Sequence, residues 1–329
     1  MGALHNAPIK NVLGVRHGGR SYSAIVVSCC NFLHPASGIR HLASTFAPMP
    51  TSWVAESGST KTTWVCIDDA DLAPVRTTGF NPRYHSAADL TAALFEELPE
   101  AMRHEVTGIS FFGAGCAGPE PRRTMQVALA AAFPQATQLS VEHDLLGAAL
   151  GLCKGQPGLV GILGTGSHAC YYDGECIAAE ATNLGYMLGD EGSGCHLGKV
   201  LVQDFFYGRM PIAVADAFNA YLPLTRHELI DRVYRQPWPN RFLALLAPFL
   251  KNNLSEPYCQ TVVAQAFSAF VRTHVLPLAP AGGEVHFTGS IAFHFKRVLQ
   301  EVLRGAGLEL GNLEPDVAQV LAAYYRALL

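Results

Sequence analysis

The feature that most constrains this chain is a repeated unit of apolar run, small-residue turn and second apolar run. The first copy joins Ser52–Glu56 to Thr62–Asp68 through Ser57-Gly58-Ser59-Thr60-Lys61. The second joins Leu159–Leu163 to Ala169–Tyr172 through Gly164-Thr165-Gly166-Ser167. Gly58 and Gly166 stand 108 residues apart. β-Rich runs flanking such turns read as hairpins, and their recurrence reads as a weak internal repeat.

The flanking patterns agree with a duplication. A third strand follows near Val75–Gly79 in the first half and Ile177–Ala181 in the second. Ser86 caps a predicted helix to about Leu98, with Leu90, Ala93, Leu94 and Leu98 on one face. The spacing then predicts a buried strand over Val106–Phe112, a helix over Arg122–Ala132, a strand over Gln138–Glu142 and a helix over Asp144–Leu152. Lys154-Gly155-Gln156-Pro157-Gly158 breaks the pattern and divides 49–157 from 158–329. The second half continues with a long helical region over about 195–277, a strand over Val285–Thr288 and a helix over Ile291–Leu303. Val317, Val320, Leu321, Tyr324 and Leu328 give a final amphipathic helix. Alternating strands and helices imply α/β layers in both halves.

Composition narrows the functional classes. With 329 residues, two domains are expected. Hydrophobic residues make up 49% and charged residues 15%, which excludes a disordered or acidic-tail protein. A net charge of −4 argues against nucleic-acid binding by bulk electrostatics. No apolar run reaches the roughly 18 residues that a membrane span needs. Nine cysteines occur without a Cys-x-x-Cys pair, the pattern of free thiols in a reducing cytoplasm.

Residues 1–48 differ in kind. They carry Lys10, Arg16, Arg20 and Arg40 but no acidic residue. A targeting segment, an ordered extension, and a disordered or mis-assigned stretch upstream of a start at Met49 are the three readings, and the last is preferred. Met49 directly precedes the first convincing strand.

The two turns suit one chemistry. Glycine, serine and threonine let backbone N–H groups converge on an anion without Cβ obstruction, and hydroxyls add donors. Each turn alone also reads as an ordinary hairpin. Lys61 is the single cation within either turn, and it reads equally as a phosphate ligand or a solvated side chain. Glu56, beside the first turn, is a candidate Mg²⁺ ligand, directly or through water. Asp144, between a strand and a helix, reads as an N-cap and as a general base at a cleft. Asp190 and Glu191 lie in Gly189-Asp190-Glu191-Gly192-Ser193-Gly194, a loop unsuited to helix or strand. Gly113-Ala114-Gly115-Cys116-Ala117-Gly118 matches the dinucleotide fingerprint. Pro119 and Pro121 crowd its helix start, so an NAD(P)-binding oxidoreductase is a minor alternative.

Taken together, the motifs resemble a known group. Glu56–Thr62 looks like the first phosphate motif of the superfamily uniting sugar kinases, heat-shock chaperones and actin, and Gly161–Ser167 looks like its second. Leu184–Gly194 is similar to a signature of N-acetylglucosamine kinases and the related BadF/BadG-type ATPases. Phe287-Thr288-Gly289-Ser290-Ile291-Ala292 resembles their adenosine motif. The resemblance covers about 51–329 and implies two RNase H-like, actin-like ATPase domains flanking an interdomain nucleotide cleft, with the last helix packing back on the first domain.

It also implies ATP, Mg²⁺ and an amino-sugar substrate. Gly58, Ser59, Thr60, Lys61, Gly164, Thr165, Gly166, Gly289 and Ser290 would hold the nucleotide. Asp144 would be catalytic and contact the acceptor hydroxyl. Asn81, Ser167, His168, Asn183, Leu184, Gly185 and Asp190 would contact the sugar. Glu56 replaces the more usual Asp, and His168 stands where Asn is common. The implied activity is phosphorylation of the 6-hydroxyl of N-acetylglucosamine, N-acetylmuramic acid or glucosamine. A BadF-type ATPase activating a partner enzyme is the alternative. A homodimer is common in the families resembled.

Overall fold

The computed structural model describes residues 51–279 and 283–329, together with β1 (Val15–His17) and β2 (Arg20–Tyr22), a short antiparallel pair. Apart from that pair, the reading of residues 1–48 lies outside the described residues.

The first hairpin is formed by β3 (Thr51–Ser57) and β4 (Lys61–Cys66), paired antiparallel with Ser57 opposite Thr62. Gly58 N–H donates to the Lys61 carbonyl at 3.0 Å and closes the turn. β5 (Val75–Thr78) adds to β4, while β6 (Val106–Gly113) and β7 (Gln138–His143) run parallel to β3. The sheet order is β5-β4-β3-β6-β7. Trp64 fills its core, packed against Phe80, Phe111 and Phe133.

The second half repeats this plan. β8 (Gly158–Leu163), β9 (Ser167–Tyr172), β10 (Ile177–Glu180), β11 (Gly283–Thr288) and β12 (Leu308–Glu314) form a sheet of order β10-β9-β8-β11-β12. Each strand takes the place and direction of its counterpart. β12 was not expected from sequence. The expected helix over Ile291–Leu303 is two helices, Ser290–His294 and Lys296–Gly305, separated at buried Phe295. The helical region holds six helices from Gly194 to Phe270, ending in a π-helical turn at Val271–Val275. Among the described residues no helix is long and apolar enough to cross a membrane.

Two helices bind the lobes together. Helix Asp144–Cys153 follows the first sheet but buries Leu145, Ala148, Ala149 and Leu152 with Val160, Cys170 and Tyr172 of the second. Helix Ala318–Arg326 follows the second sheet but buries Leu321 and Ala322 with Val54, Val65 and Phe112 of the first. Arg326 also donates to the carbonyls of Cys66 and Ile67. The helices cross at Gly151, where a Cβ would stand 3.2 Å from Leu321 N.

Candidate active site between the lobes

The two small-residue turns meet. Thr60 Oγ1 and Thr165 Oγ1 lie 3.1 Å apart, one from each lobe. The first turn is backed by Gly79, whose N–H donates to the Thr60 carbonyl at 3.1 Å. The second is tied across itself by Gly164 N–H to the Gly166 carbonyl at 2.9 Å. Behind it sits Gly289 at φ 109°, where a Cβ would meet the Leu163 carbonyl oxygen at 2.3 Å. Only glycine tolerates both that φ and that approach. The following loop clamps the same turn, with Gly194 N–H donating to the Gly164 carbonyl and Cys195 N–H to that of Thr165. Ser290 is exposed at the start of its short helix, and Ser59 lies half-buried in the first turn.

Acidic groups converge beside the turns. Glu56, partly buried at the end of β3, has its carboxyl pushed up to about 8. Burial is the main cause, followed by the charges of Asp316 and Asp144, with Lys61 opposing them. A carboxyl facing two other carboxylates is one that gains from a cation. Asp144 is the first residue of its helix, whose cap position is taken by His143 rather than by the aspartate. Its Oδ1 accepts from Leu145 N–H at 2.9 Å and lies 3.0 Å from His143 Nε2.

Asp316 was not singled out from sequence. It accepts from Lys61 Nζ at 2.5 Å, from Thr63 Oγ1 at 2.7 Å and from Ala318 N–H at 3.0 Å. Burial alone would raise its carboxyl, but these hydrogen bonds hold it below the usual value. Lys61 is therefore engaged in an inter-lobe ion pair, with its half-exposed ammonium keeping further donors.

The expected sugar-contacting residues fall into two groups. In the second lobe, buried Asp190 Oδ1 accepts from Asn183 Nδ2 at 2.9 Å and from Ser167 N–H at 3.3 Å. Asn183 also donates to the Ser167 carbonyl and accepts from Gly185 N–H. The hydroxyl of Ser167 is buried and has no hydrogen-bond partner among the described residues. A buried orphan hydroxyl is costly unless a ligand serves it. Leu184, beside this network, is exposed. His168 Nε2 faces Glu180 Oε1 at 2.9 Å and the Ala181 carbonyl at 3.1 Å. Burial is the largest single influence and pulls its pKa down, but the Glu180 hydrogen bond, the charges of Glu180 and Asp144 and the Ala181 carbonyl together raise it above the ordinary value.

The first lobe contributes Asn81, buried, with Oδ1 accepting from Arg83 N–H at 3.0 Å. Gly115 lies against it at φ 83°, where a Cβ would stand 2.2 Å from Asn81 Oδ1. The dinucleotide-like fingerprint thus makes room for an asparagine side chain. His143, Glu180, Thr63 and Asp316 are the residues that sequence reasoning missed. Thr63 meets Asp316 253 residues away, and His143 meets His168 across the lobes, so no local spacing announces either contact.

No protein-family model matches the chain, and no curated protein matches it. Solved structures do. A candidate N-acetylglucosamine kinase from Porphyromonas gingivalis is 36% identical with a TM-score of 0.78, over 84% of this chain and 99% of that one. A second such candidate, from Chromobacterium violaceum, is 20% identical with a TM-score of 0.60, over 83% and 98%. A ROK family glucokinase from Streptomyces griseus, solved with glucose and AMPPNP, shares the fold at 13% identity and a TM-score of 0.51, over 83% and 98%. Duplicated sheets gripping a pair of apposed turns define an ATP-dependent sugar kinase of the actin-like ATPase fold. Within that class the chain belongs to the family of N-acetylglucosamine kinase-like proteins represented by the Porphyromonas gingivalis structure.

Proposed function

We propose that this kinase phosphorylates the 6-hydroxyl of an amino sugar, N-acetylglucosamine foremost, using Mg²⁺-ATP. The observation that carries the reading is the meeting of Thr60 and Thr165 between the lobes, with the carboxylates of Glu56 and Asp144 converging beside it.

The backbone of Gly58, Ser59, Gly164 and Gly166 and the hydroxyls of Thr60 and Thr165 serve phosphate oxygens, exchanging their mutual hydrogen bond for them. Gly289 and Ser290 flank the adenosine. Glu56 fits Mg²⁺, directly or through water, since a cation relieves the carboxylate repulsion around it. Bound Mg²⁺ supplies charge neutralisation at the phosphates. Asn81, Ser167, His168, Asn183, Leu184, Gly185 and Asp190 surround the sugar, and Ser167 Oγ gains the partner it lacks. Asp144 accepts the proton of the attacking hydroxyl. The Leu145 N–H, which donates to its Oδ1 at 2.9 Å, and the adjacent His143 ring fix the carboxylate before substrate arrives.

A partner-activating ATPase needs cysteines placed to hold an iron–sulfur cluster. Six of the seven described cysteines are buried, and burial pushes the thiols of Cys116 and Cys153 up to about 12. The kinase reading is the better supported. The test is ADP release from Mg²⁺-ATP against N-acetylglucosamine, N-acetylmuramic acid, glucosamine and glucose, with a no-sugar control. Strong stimulation by one N-acetylated sugar is expected; equal turnover with and without sugar would overturn the assignment.

A further inference from the structure

One cluster of ligating side chains offers a coordination that the phosphoryl-transfer reading does not call on. His143 ends β7 in the first lobe, while His168 on β9 and Glu180 on β10 belong to the second. Each offers one ligand atom, and the three atoms lie within 4.8 Å of one another. The two imidazole rings meet edge to face, with centroids 5.5 Å apart and an interplanar angle of 80°.

We propose that His143, His168 and Glu180 form an inter-lobe site for a divalent transition cation of the zinc class, separate from the Mg²⁺ of the nucleotide. The donor set decides the class. Two imidazoles and one carboxylate suit Zn²⁺ and its neighbours, whereas Mg²⁺ favours oxygen ligands and retained water. Zinc with N and O ligands at about 2.0–2.2 Å places those ligands roughly 3.4 Å apart. The His168–Glu180 pair is already closer than that, at 2.9 Å. Only a modest closure of the rings is needed, and none of the three side chains is fully buried. Three protein ligands leave one position for water or an anion, the arrangement of an open rather than a structural site.

Position gives the site a consequence. It draws ligands from both lobes, so the bound cation ties them together on the sugar side of the cleft. It also takes up His168, which the amino sugar would otherwise contact, and His143, which holds Asp144 at 3.0 Å. Under the kinase reading, on which this consequence alone rests, zinc-class cations inhibit turnover while Mg²⁺ supports it.

The test uses the full chain after chelation and removal of the chelator. Co²⁺ titration should give the visible d–d bands of a four- or five-coordinate site at one equivalent, displaced by Zn²⁺ and not by excess Mg²⁺. Calorimetry with Zn²⁺ should show one site, weakened at least about tenfold, the penalty of losing a supporting group at a metal centre, in Glu180→Gln. That variant should keep the wild-type circular dichroism and melting temperature. In Mg²⁺-ATP buffer free of transition metals, whatever turnover it retains should no longer respond to added Zn²⁺. His143→Asn provides a second, independent removal read by Co²⁺ spectrum alone. Equal Zn²⁺ affinity in wild type and Glu180→Gln, or a cobalt–thiolate charge-transfer band showing capture by cysteine, would overturn the site. A protein without kinase activity still answers the spectroscopic question, so the two readings fail separately.

Discussion

The two lobes share one topology yet employ the same position in opposite ways. In each, an acid follows the fifth strand of the sheet at the start of a crossing helix: Asp144 in the first lobe and Asp316 in the second. Asp316 is saturated, held by Lys61, Thr63 and the helix backbone. Asp144 keeps one oxygen without such a set of donors, its Oδ1 being shared by Leu145 N–H and His143. The turns differ similarly. Glu56 ends β3 where the matching position on β8 is Ile162. The two lobes thus present equivalent turns but unequal carboxylates, one held by three donors and one less encumbered.

The largest expected effect tests that division directly. Asp144→Asn should lower kcat by roughly 10²–10⁴-fold with nucleotide binding retained, the usual worth of general-base help. Single-turnover assays and nucleotide titration measure the two, and comparable loss in Asp316→Asn would erase the distinction between the lobes.

Gly289→Ala comes next. The added methyl meets backbone at a φ that disfavours side chains, a strain of about 1–3 kcal/mol. Denaturant unfolding should show the loss together with a raised KM for ATP. A neutral result would mean that the second turn is not held from behind.

Glu56→Gln sharpens the electrostatic contrast. A carboxyl raised to about 8 in the folded state and near 4.5 when unfolded stabilises the fold fully below pH 4.5. That contribution is lost as pH rises to 8. The variant should therefore match wild type near pH 5 and exceed it by about 1–2 kcal/mol at pH 9, each unit being worth about 1.4 kcal/mol less solvent screening. Thermal melts without Mg²⁺ at the two pH values read the difference.

Asp316→Asn is expected to cost least. Lys61 is half exposed, so the pair is worth about 1 kcal/mol, or roughly 2–4 °C in melting temperature. Turnover should stay within about tenfold of wild type, well short of the base-removal effect.

Much of this architecture was legible because its punctuation is local. Glycine, serine and threonine mark both turns, and Ser86 carries its full capping box with Asp89. β12 escaped because Gly311 and Asn312 interrupt a half-buried, parallel edge strand. Gly311 is there for a tertiary reason: a Cβ would stand 2.5 Å from the His286 ring. At the candidate site, Thr60 and Thr165, whose turns the structure brings together, could be named from their motifs. Asp316 could not, since its partners lie 253 and 255 residues away in sequence. The same holds for His143 and Glu180, which lie on β7 and β10 of different sheets and meet only in the folded chain.

Those crossing helices also set a timetable for synthesis. The nine residues of Ala318–Arg326 cover one face of a sheet whose first strand begins at Thr51. A nascent chain emerging from the ribosome must therefore carry Val54, Val65 and Phe112 with only the partial cover of Leu146 and Leu150 until Ala318–Arg326 has been made, so the earlier-translated lobe waits on a helix of the later one to become watertight.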